Sequence, residues 1–135
     1  MFFKRKISKP AYVVIKDSAL HGRGVFATKN ISRGTLIETA PAVFLSHEEK
    51  ELLKHSPLFN YYFLINNTDN PAVFGFGNSS FYNHSSQANC FYTFSTKQNM
   101  IRFYAYKKIM TGEEITINYN GEPDDPNPVY FPDND

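Results

Sequence analysis

The sequence predicts a mainly β domain with few short helices. Runs rich in β-branched and aromatic residues recur along the chain, at 12–16 (YVVIK), 35–39 (TLIET), 91–94 (FYTF), 101–106 (IRFYAY) and 114–119 (EITINY). Such residues suit the pleated, half-buried surface of a strand. Clusters of glycine, proline and asparagine punctuate the runs. Only one stretch, Ser46-His47-Glu48-Glu49, carries a helix-start signature.

Taken in order, the run 12–16 forms the first strand, and Gly22 and Gly24, flanking Arg23, break it. Ile31-Ser32-Arg33-Gly34 reads as a turn. The strand at 35–39 follows, and Pro41 ends or kinks it, because a proline removes a ladder donor. At Ser46 the hydroxyl can accept from first-turn amides while Glu49 reaches back to the Ser46 N–H. The helix so started is expected over 47–55, with Leu52 and Leu53 turned inward and Pro57 closing it. The apolar run 61–65 (YYFLI) fits a strand or a short helix equally. Asn66-Asn67-Thr68-Asp69-Asn70-Pro71 is loop chemistry. The three remaining strands follow, the last two joined by a turn at Thr111-Gly112. From Gly121 the chain carries Pro123, Pro126, Pro128 and Pro132 and reads as irregular, held by Val129, Tyr130 and Phe131.

A length of 135 residues fits one domain and can bury a core without disulfide or metal staples. Hydrophobic residues make up 41%, which excludes a disordered chain. The 9 tyrosines bring hydroxyls that need polar partners or solvent, which points to a lined groove. A net charge of +1 gives no global attraction for nucleic acid or membranes, and no nucleic-acid-binding motif is present. The basic start (Lys4, Arg5, Lys6, Lys9) and acidic end (Asp124, Asp125, Asp133, Asp135) read as solvated termini. Cys90 is the only cysteine, so neither an internal disulfide nor a cysteine-rich zinc site is available. No apolar stretch is long enough to span a bilayer. Met1-Phe2-Phe3 ahead of Lys4-Arg5-Lys6 is too short an apolar run for a signal peptide. The glycosylation pattern at Asn66, Asn78 and Asn83 matters only in a secreted chain. An intracellular, soluble protein is expected, nuclear or cytoplasmic alike.

Several side chains could carry chemistry, and each also has a plainer reading. Gly22-Arg23-Gly24 can be a simple turn, or a place where a ligand approaches the backbone closely. A phosphate loop is disfavoured, because no third glycine and no Lys-Ser/Thr follow. Asn83-His84 can be a polar pair bonded to main chain. A Ser-His catalytic pair with Ser85 or Ser86 lacks the G-x-S-x-G turn and an orienting acid. His47, Glu51 and His55 share a helix face at a spacing that can hold a metal. Without an H-E-x-x-H motif a solvated face is the simpler reading, and no metal site is assigned. Cys90 lacks a flanking basic cluster and reads as a buried, inert thiol.

Read together, three segments change the picture. His21-Gly22-Arg23-Gly24-Val25-Phe26-Ala27 comes first. Ser80-Phe81-Tyr82-Asn83-His84-Ser85-Ser86-Gln87-Ala88-Asn89 comes second, and Gly112-Glu113-Glu114-Ile115-Thr116-Ile117-Asn118-Tyr119 third. The set resembles the SET-domain protein lysine methyltransferases, whose pattern is a G-x-G segment, then R-F-x-N-H-S-C-x-P-N, then G-E-E-L-T-x-x-Y. The resemblance covers residues 10–120. It implies a SET fold at 1–121, with small curled β-sheets and the C-terminal segment threaded under a loop as a pseudoknot, and a tail at 122–135 that closes the site. It also implies a protein-lysine N-methyltransferase that uses S-adenosyl-L-methionine, leaves S-adenosyl-L-homocysteine and needs no metal. Gly22, Arg23, Gly24, Asn83 and His84 would bind the cofactor, with His84 near the adenine. Tyr119 would be the catalytic tyrosine, and Tyr92, Tyr82 and Ile117 would line the lysine channel. The partner would be a protein with an accessible lysine, such as a histone tail, and the chain would act as a monomer or homodimer. Acidic Glu48, Glu49, Glu51, Asp124 and Asp125 could attract such a basic tail.

The chain departs from the family pattern in places. Ser80 stands where the pattern has Arg and Ala88 where it has Pro, and neither position does chemistry. Ile117 stands where many members carry Phe or Tyr that tunes methyl number, and an aliphatic leaves room for di- or trimethylation. Cysteine-rich segments before and after the domain are missing, which resembles the small stand-alone SET proteins of viruses and bacteria. Tyr130 and Phe131, or a second subunit, would then close the channel. A reading of a different class is a catalytically idle SET module that binds or scaffolds proteins. It would show a broken G-x-G or a lost Tyr119, and both are in place. A small β-rich binding domain unrelated to the family would fail to bind the cofactor.

Overall fold

The strand-forming runs assemble into two sheets. The computed structural model describes residues 12–129. The chain runs β1 (Val13–Asp17), β2 (Arg23–Ala27), β3 (Leu36–Leu45), α1 (His47–Leu52), β4 (Phe63–Leu64), β5 (Ala72–Gly75), β6 (Asn83–His84), β7 (Cys90–Ser95), β8 (Met100–Ala105) and β9 (Glu114–Ile117). Short 3-10 turns lie at Pro57–Asn60 and Ser79–Phe81. The smaller sheet has the order β1-β2-β9-β6 and the larger one β4-β5-β3-β8-β7. All pairings are antiparallel except β6 with β9, where Asn83 faces Thr116 and His84 faces Ile117. That parallel pair sets the Asn-His dipeptide beside the strand that leads to Tyr119.

Alternation builds the core. Ile101, Phe103 and Ala105 of β8 point inward at every second position, as a strand's two-residue period requires. Ile115 and Ile117 do so on β9, and Val25, Ile37 and Ile109 join them. Each fully buried aliphatic or phenyl side chain contributes about 1.5–3 kcal/mol. The Asn89 side chain extends the smaller sheet without a strand. Its Nδ2 donates to the Glu114 carbonyl at 2.8 Å and its Oδ1 accepts from the Thr116 N–H at 2.9 Å, copying a strand's main-chain pattern along β9.

Several expectations need correction. Gly24 does not break a strand but sits inside β2; only Gly22, at φ 47°, belongs to the turn from β1. Pro41 does not end β3, which runs ten residues to Leu45. Its place explains this: β3 pairs with β8 up to Pro41 and with β5 from Ala42, so the missing N–H falls at the handover between partners. Helix α1 stops at Leu52, not at 55, and Leu52 is 80% exposed instead of inward, while Leu53 is half-buried. Six residues give less than two turns, too few to carry a stripe facing the core. The run 61–65 contributes only the two residues of β4. Strand β5 and the two residues of β6 were not anticipated, because neither has enough β-forming residues in a row. The capping box at Ser46 and Glu49 is present as expected. Tyr130 and Phe131, expected to hold the tail, and the charged residues at 4–9, 133 and 135 lie outside the described residues.

Candidate active site

Strands β2, β6 and β9 bring the G-x-G, Asn-His and Tyr segments to one place. The Asn83 amide donates to the His21 carbonyl at 2.9 Å and the Arg23 carbonyl at 3.0 Å, so it grips the turn into β2 from both sides of Gly22. A third, weak contact runs to Glu114 Oε1 at 3.5 Å. Its Oδ1 accepts no hydrogen bond among the described residues. Gly24 is required here by space, not by φ. A Cβ at that position would overlap the Glu114 carboxylate and lie 3.1 Å from Asn83 Nδ2. Glu114 Oε2 is buried with no partner among the described residues.

His84 and Tyr119 form the second half of the site. The Tyr119 N–H donates to His84 Nδ1 at 3.1 Å, and the two rings lie 5.2 Å apart. Burial lowers the His84 pKa, so the ring is neutral with its proton on Nε2. Tyr119 keeps 38% of its surface exposed, but its hydroxyl turns inward and donates to the Tyr82 carbonyl at 2.9 Å. Burial of that end, and then the Glu114 charge, push the phenol up to about 12. Tyr92 packs against Phe63, Phe94 and Phe103 and donates to the Asn118 carbonyl at 3.3 Å. Burial and then Tyr119 raise its pKa to about 12 as well.

A cleft of about 400 Å³ opens against Tyr119 and Tyr82, walled by Tyr61, Tyr62, Phe63 and Val129. No charged residue among the described ones lines it. Its floor at Ser79, Ser80 and Tyr82 runs directly into Asn83 and His84. Three motifs distant in sequence thus meet in one corner of the fold. The family model described as the SET domain matches residues 22–120.

The chain belongs to the SET-domain family. It is 31% identical over 105 residues to a Schizosaccharomyces pombe histone-lysine N-methyltransferase, H3 lysine-37 specific, covering 78% of this chain and 71% of that protein. It is 33% identical over 122 residues to human histone-lysine N-methyltransferase 2B, covering 85% of this chain but 4% of that protein. A crystal structure from Plasmodium falciparum, assigned as a histone methyltransferase, superposes with a TM-score of 0.67 at 29% identity, over 84% of this chain and 95% of that one. A chain of apo ctPRC2 with mutations in Ezh2 gives a TM-score of 0.69 at 27% identity, over 83% of this chain and 15% of that one. The mostly β architecture with one short helix and curled sheets is the SET fold.

Within this SET domain the three residues expected to line a channel sit differently. Tyr92 is half-buried near Tyr119. Ile117 is fully buried in the core beside His84. Tyr82 is 1% exposed, with its ring stacked on Phe103 at 4.3 Å and its hydroxyl on Glu38. It meets Tyr119 through its main-chain carbonyl. Arg23 is exposed at the start of β2. Sequence reasoning missed Glu38, a buried carboxylate on β3, and the neutral aromatic wall at 61–63; their isolated positions carry no motif. No group of three or more metal-ligating side chains exists among the described residues. His47 and Glu51 lie exposed on α1 with His55 past its end, and Cys90 is a buried thiol whose pKa is pushed up by burial.

Proposed function

We propose that this SET domain is a protein-lysine N-methyltransferase that takes its methyl group from S-adenosylmethionine, with a basic protein such as a histone as substrate. The observation that carries this reading is the joint anchoring of Tyr119. Its N–H sits on His84 and its hydroxyl on the Tyr82 carbonyl, so the side chain is fixed at the head of the cleft. Relatives named as histone-lysine methyltransferases support the same reading.

The residues present fit the cofactor. Asn83 Oδ1 and Glu114 Oε2 are acceptors without partners among the described residues, at the corner where Asn83 grips the β2 turn. Such a corner suits the cationic end of an amino acid. The uncharged aromatic cleft beside it suits a nucleoside, and about 400 Å³ lies in the range of small-molecule sites. Gly22, Arg23 and Gly24 would offer main chain, with Asn83 and His84 on the opposite side. When bound, S-adenosylmethionine supplies an electrophilic methyl group on a sulfonium.

The chain's own residues do the rest. A free lysine amine titrates near ~10.4 and must lose its proton before it can attack. Burial among Tyr92, Tyr119 and their aromatic neighbours disfavours the ammonium and lowers that value. With its phenol held near 12, Tyr119 stays protonated at neutral pH. Its hydroxyl proton is committed to the Tyr82 carbonyl, so toward the lysine amine its oxygen can act only as an acceptor. Alignment of amine and methyl group is then the main source of rate. Aromatic faces around the site favour the methylammonium product.

Incubation of core histones and a basic protein mixture with S-adenosylmethionine, followed by intact-mass measurement, tests the reading. Mass steps of one methyl group, mapped to lysine, support it and report the product state. Cofactor binding by calorimetry without any mass shift, across histones and the mixture, indicates an idle SET module. Neither binding nor shift removes the assignment altogether. Tyr119→Phe should lower kcat by about 10-fold to 100-fold through lost alignment, with the cofactor Kd little changed. Equal turnover by the variant would rule out the role given to Tyr119.

A further inference from the structure

Glu38 is a buried carboxylate that the chemistry above does not use. It lies on β3 and is 4% exposed. The salt bridge among the described residues joins Lys54 and Glu51, so no cation balances Glu38 there. A carboxylate buried without a cation is costly, and a core position of this kind is ordinarily filled by an aliphatic side chain. Both of its oxygens are nevertheless used. Oε1 accepts from the Tyr82 hydroxyl at 2.7 Å, and Oε2 accepts from the Asn78 N–H at 2.9 Å. Burial raises the Glu38 pKa, and these two bonds oppose the rise.

The segment that Glu38 holds is the one that carries the site. Asn78 opens the 3-10 turn Ser79–Phe81, which runs into Tyr82 and then β6. Gly77, at φ 64°, is shaped around the carboxylate: a Cβ there would collide with Glu38 Oε2. Tyr82 is fixed on its face by Phe103 and at its tip by Glu38. Ring and turn together set its main-chain carbonyl 2.9 Å from the Tyr119 hydroxyl.

We propose that Glu38 is a positioning residue for Tyr119, holding Tyr82 and the 77–79 turn so that the Tyr82 carbonyl receives the Tyr119 hydroxyl. The catalytic consequence rests on the methyltransferase reading; the placement of the hydroxyl does not. Glu38→Gln keeps the shape but offers a donor where the site supplies two donors. Tyr82→Phe breaks the same contact from the other end and serves if Glu38→Gln fails to fold.

The experiment reads the Tyr119 hydroxyl directly. Protein carrying 13Cζ-tyrosine, in mixed H2O and D2O, shows whether that hydroxyl exchanges slowly, as a bonded one does. In parallel, kcat and cofactor Kd are measured for wild type, Glu38→Gln, Tyr82→Phe and each in a Tyr119→Phe background. Slow exchange in wild type and fast exchange in both variants is expected. So is a kcat loss of about tenfold with cofactor Kd within about twofold, and a loss below about twofold once Tyr119 lacks its hydroxyl. Unchanged hydroxyl exchange in the variants overturns the proposal, as does an equal kcat loss in the Tyr119→Phe background, which marks a purely structural carboxylate. Exchange that responds to Glu38 in a protein that transfers no methyl group upholds the positioning and overturns the methyltransferase reading instead.

Discussion

At the scale of single residues, His84 makes the site sensitive to acid. Its Nδ1 must be unprotonated to accept the Tyr119 N–H. A proton there would set two donors against each other, and burial already disfavours the cation. The folded pKa therefore lies below the ordinary value of 6.5. The unfolded chain binds the proton first as pH falls, so the contribution of neutral His84 is fully present above the unfolded pKa and is lost as pH drops through the folded one. Glu38 runs the other way. Its folded pKa is raised, so its effect favours folding below the unfolded value of 4.5 and is lost as pH rises through the folded value. The two act with opposite sign on stability against pH, so wild-type stability alone will not separate them. Denaturant midpoints for wild type and His84→Ala, taken every half unit between about pH 5 and 7.5, should converge toward the acid end. Parallel curves would mean that the Nδ1 contact does not select the neutral ring.

At the scale of elements, β2 is defined by how near β9 and β6 come to it. Gly24→Ala puts a methyl group into the Glu114 carboxylate and against Asn83 Nδ2, with no change of φ demanded. Overpacking of this kind costs about 1–3 kcal/mol. Because the Glu114 carboxylate must move and the Asn83 amide beside it is crowded, cofactor Kd by calorimetry should weaken along with the urea midpoint. A drop in midpoint at unchanged Kd would separate Gly24 from the site. Helix α1 offers a control far from the chemistry: Ser46→Ala removes the hydroxyl that caps the Glu49 N–H and should cost about 1 kcal/mol, with turnover unaffected. These two elements also show what the sequence could convey. The capping box is local, four residues in a row, and was readable as it stands. The strands at 91–94 and 101–106 were readable because their β-forming runs are long. Gly24 was misread as a breaker because its reason for being glycine lies across the sheet, in Glu114. Pro41 was misread because the change of partner along β3 is a property of three strands. The Asn83, His84 and Tyr119 constellation was legible only through the order of the motifs. Glu38 was not legible at all, since nothing near it in the chain marks its contact with Tyr82.

At the scale of the whole molecule, the question is what couples the two sheets around Tyr119. The segment after β9 answers it. Asn118 is 1% exposed, and its Nδ2 donates to the Asp125 carbonyl at 2.8 Å and the Pro123 carbonyl at 3.4 Å, while its Oδ1 accepts from the Asn120 N–H. Its own carbonyl receives the Tyr92 hydroxyl from β7. Pro123 also accepts from Ala88, at the position where the family pattern has a proline; a proline there would have no N–H to give. Tyr106, just past β8, reaches Asp124 at 2.7 Å. The returning segment thus ties β9 of the smaller sheet to β7 and β8 of the larger, with Tyr119 inside the tie. Asn118→Ala removes the two hydrogen bonds that its Nδ2 gives at the centre of the segment, a loss of about 1–3 kcal/mol at about 0.5–1.5 kcal/mol each. If the segment is what joins the sheets, amides of β7, β8 and β9 should all lose hydrogen-exchange protection by the same free energy, in one cooperative unfolding transition, and kcat should fall because Tyr119 follows directly. If it is merely attached to them, only amides near 118–127 should exchange faster, with both sheets as protected as before. The hydrogen-bond pattern favours the first outcome, because ties from β7 and from just past β8 of the larger sheet meet, within one short stretch of chain, the segment that continues β9 of the smaller.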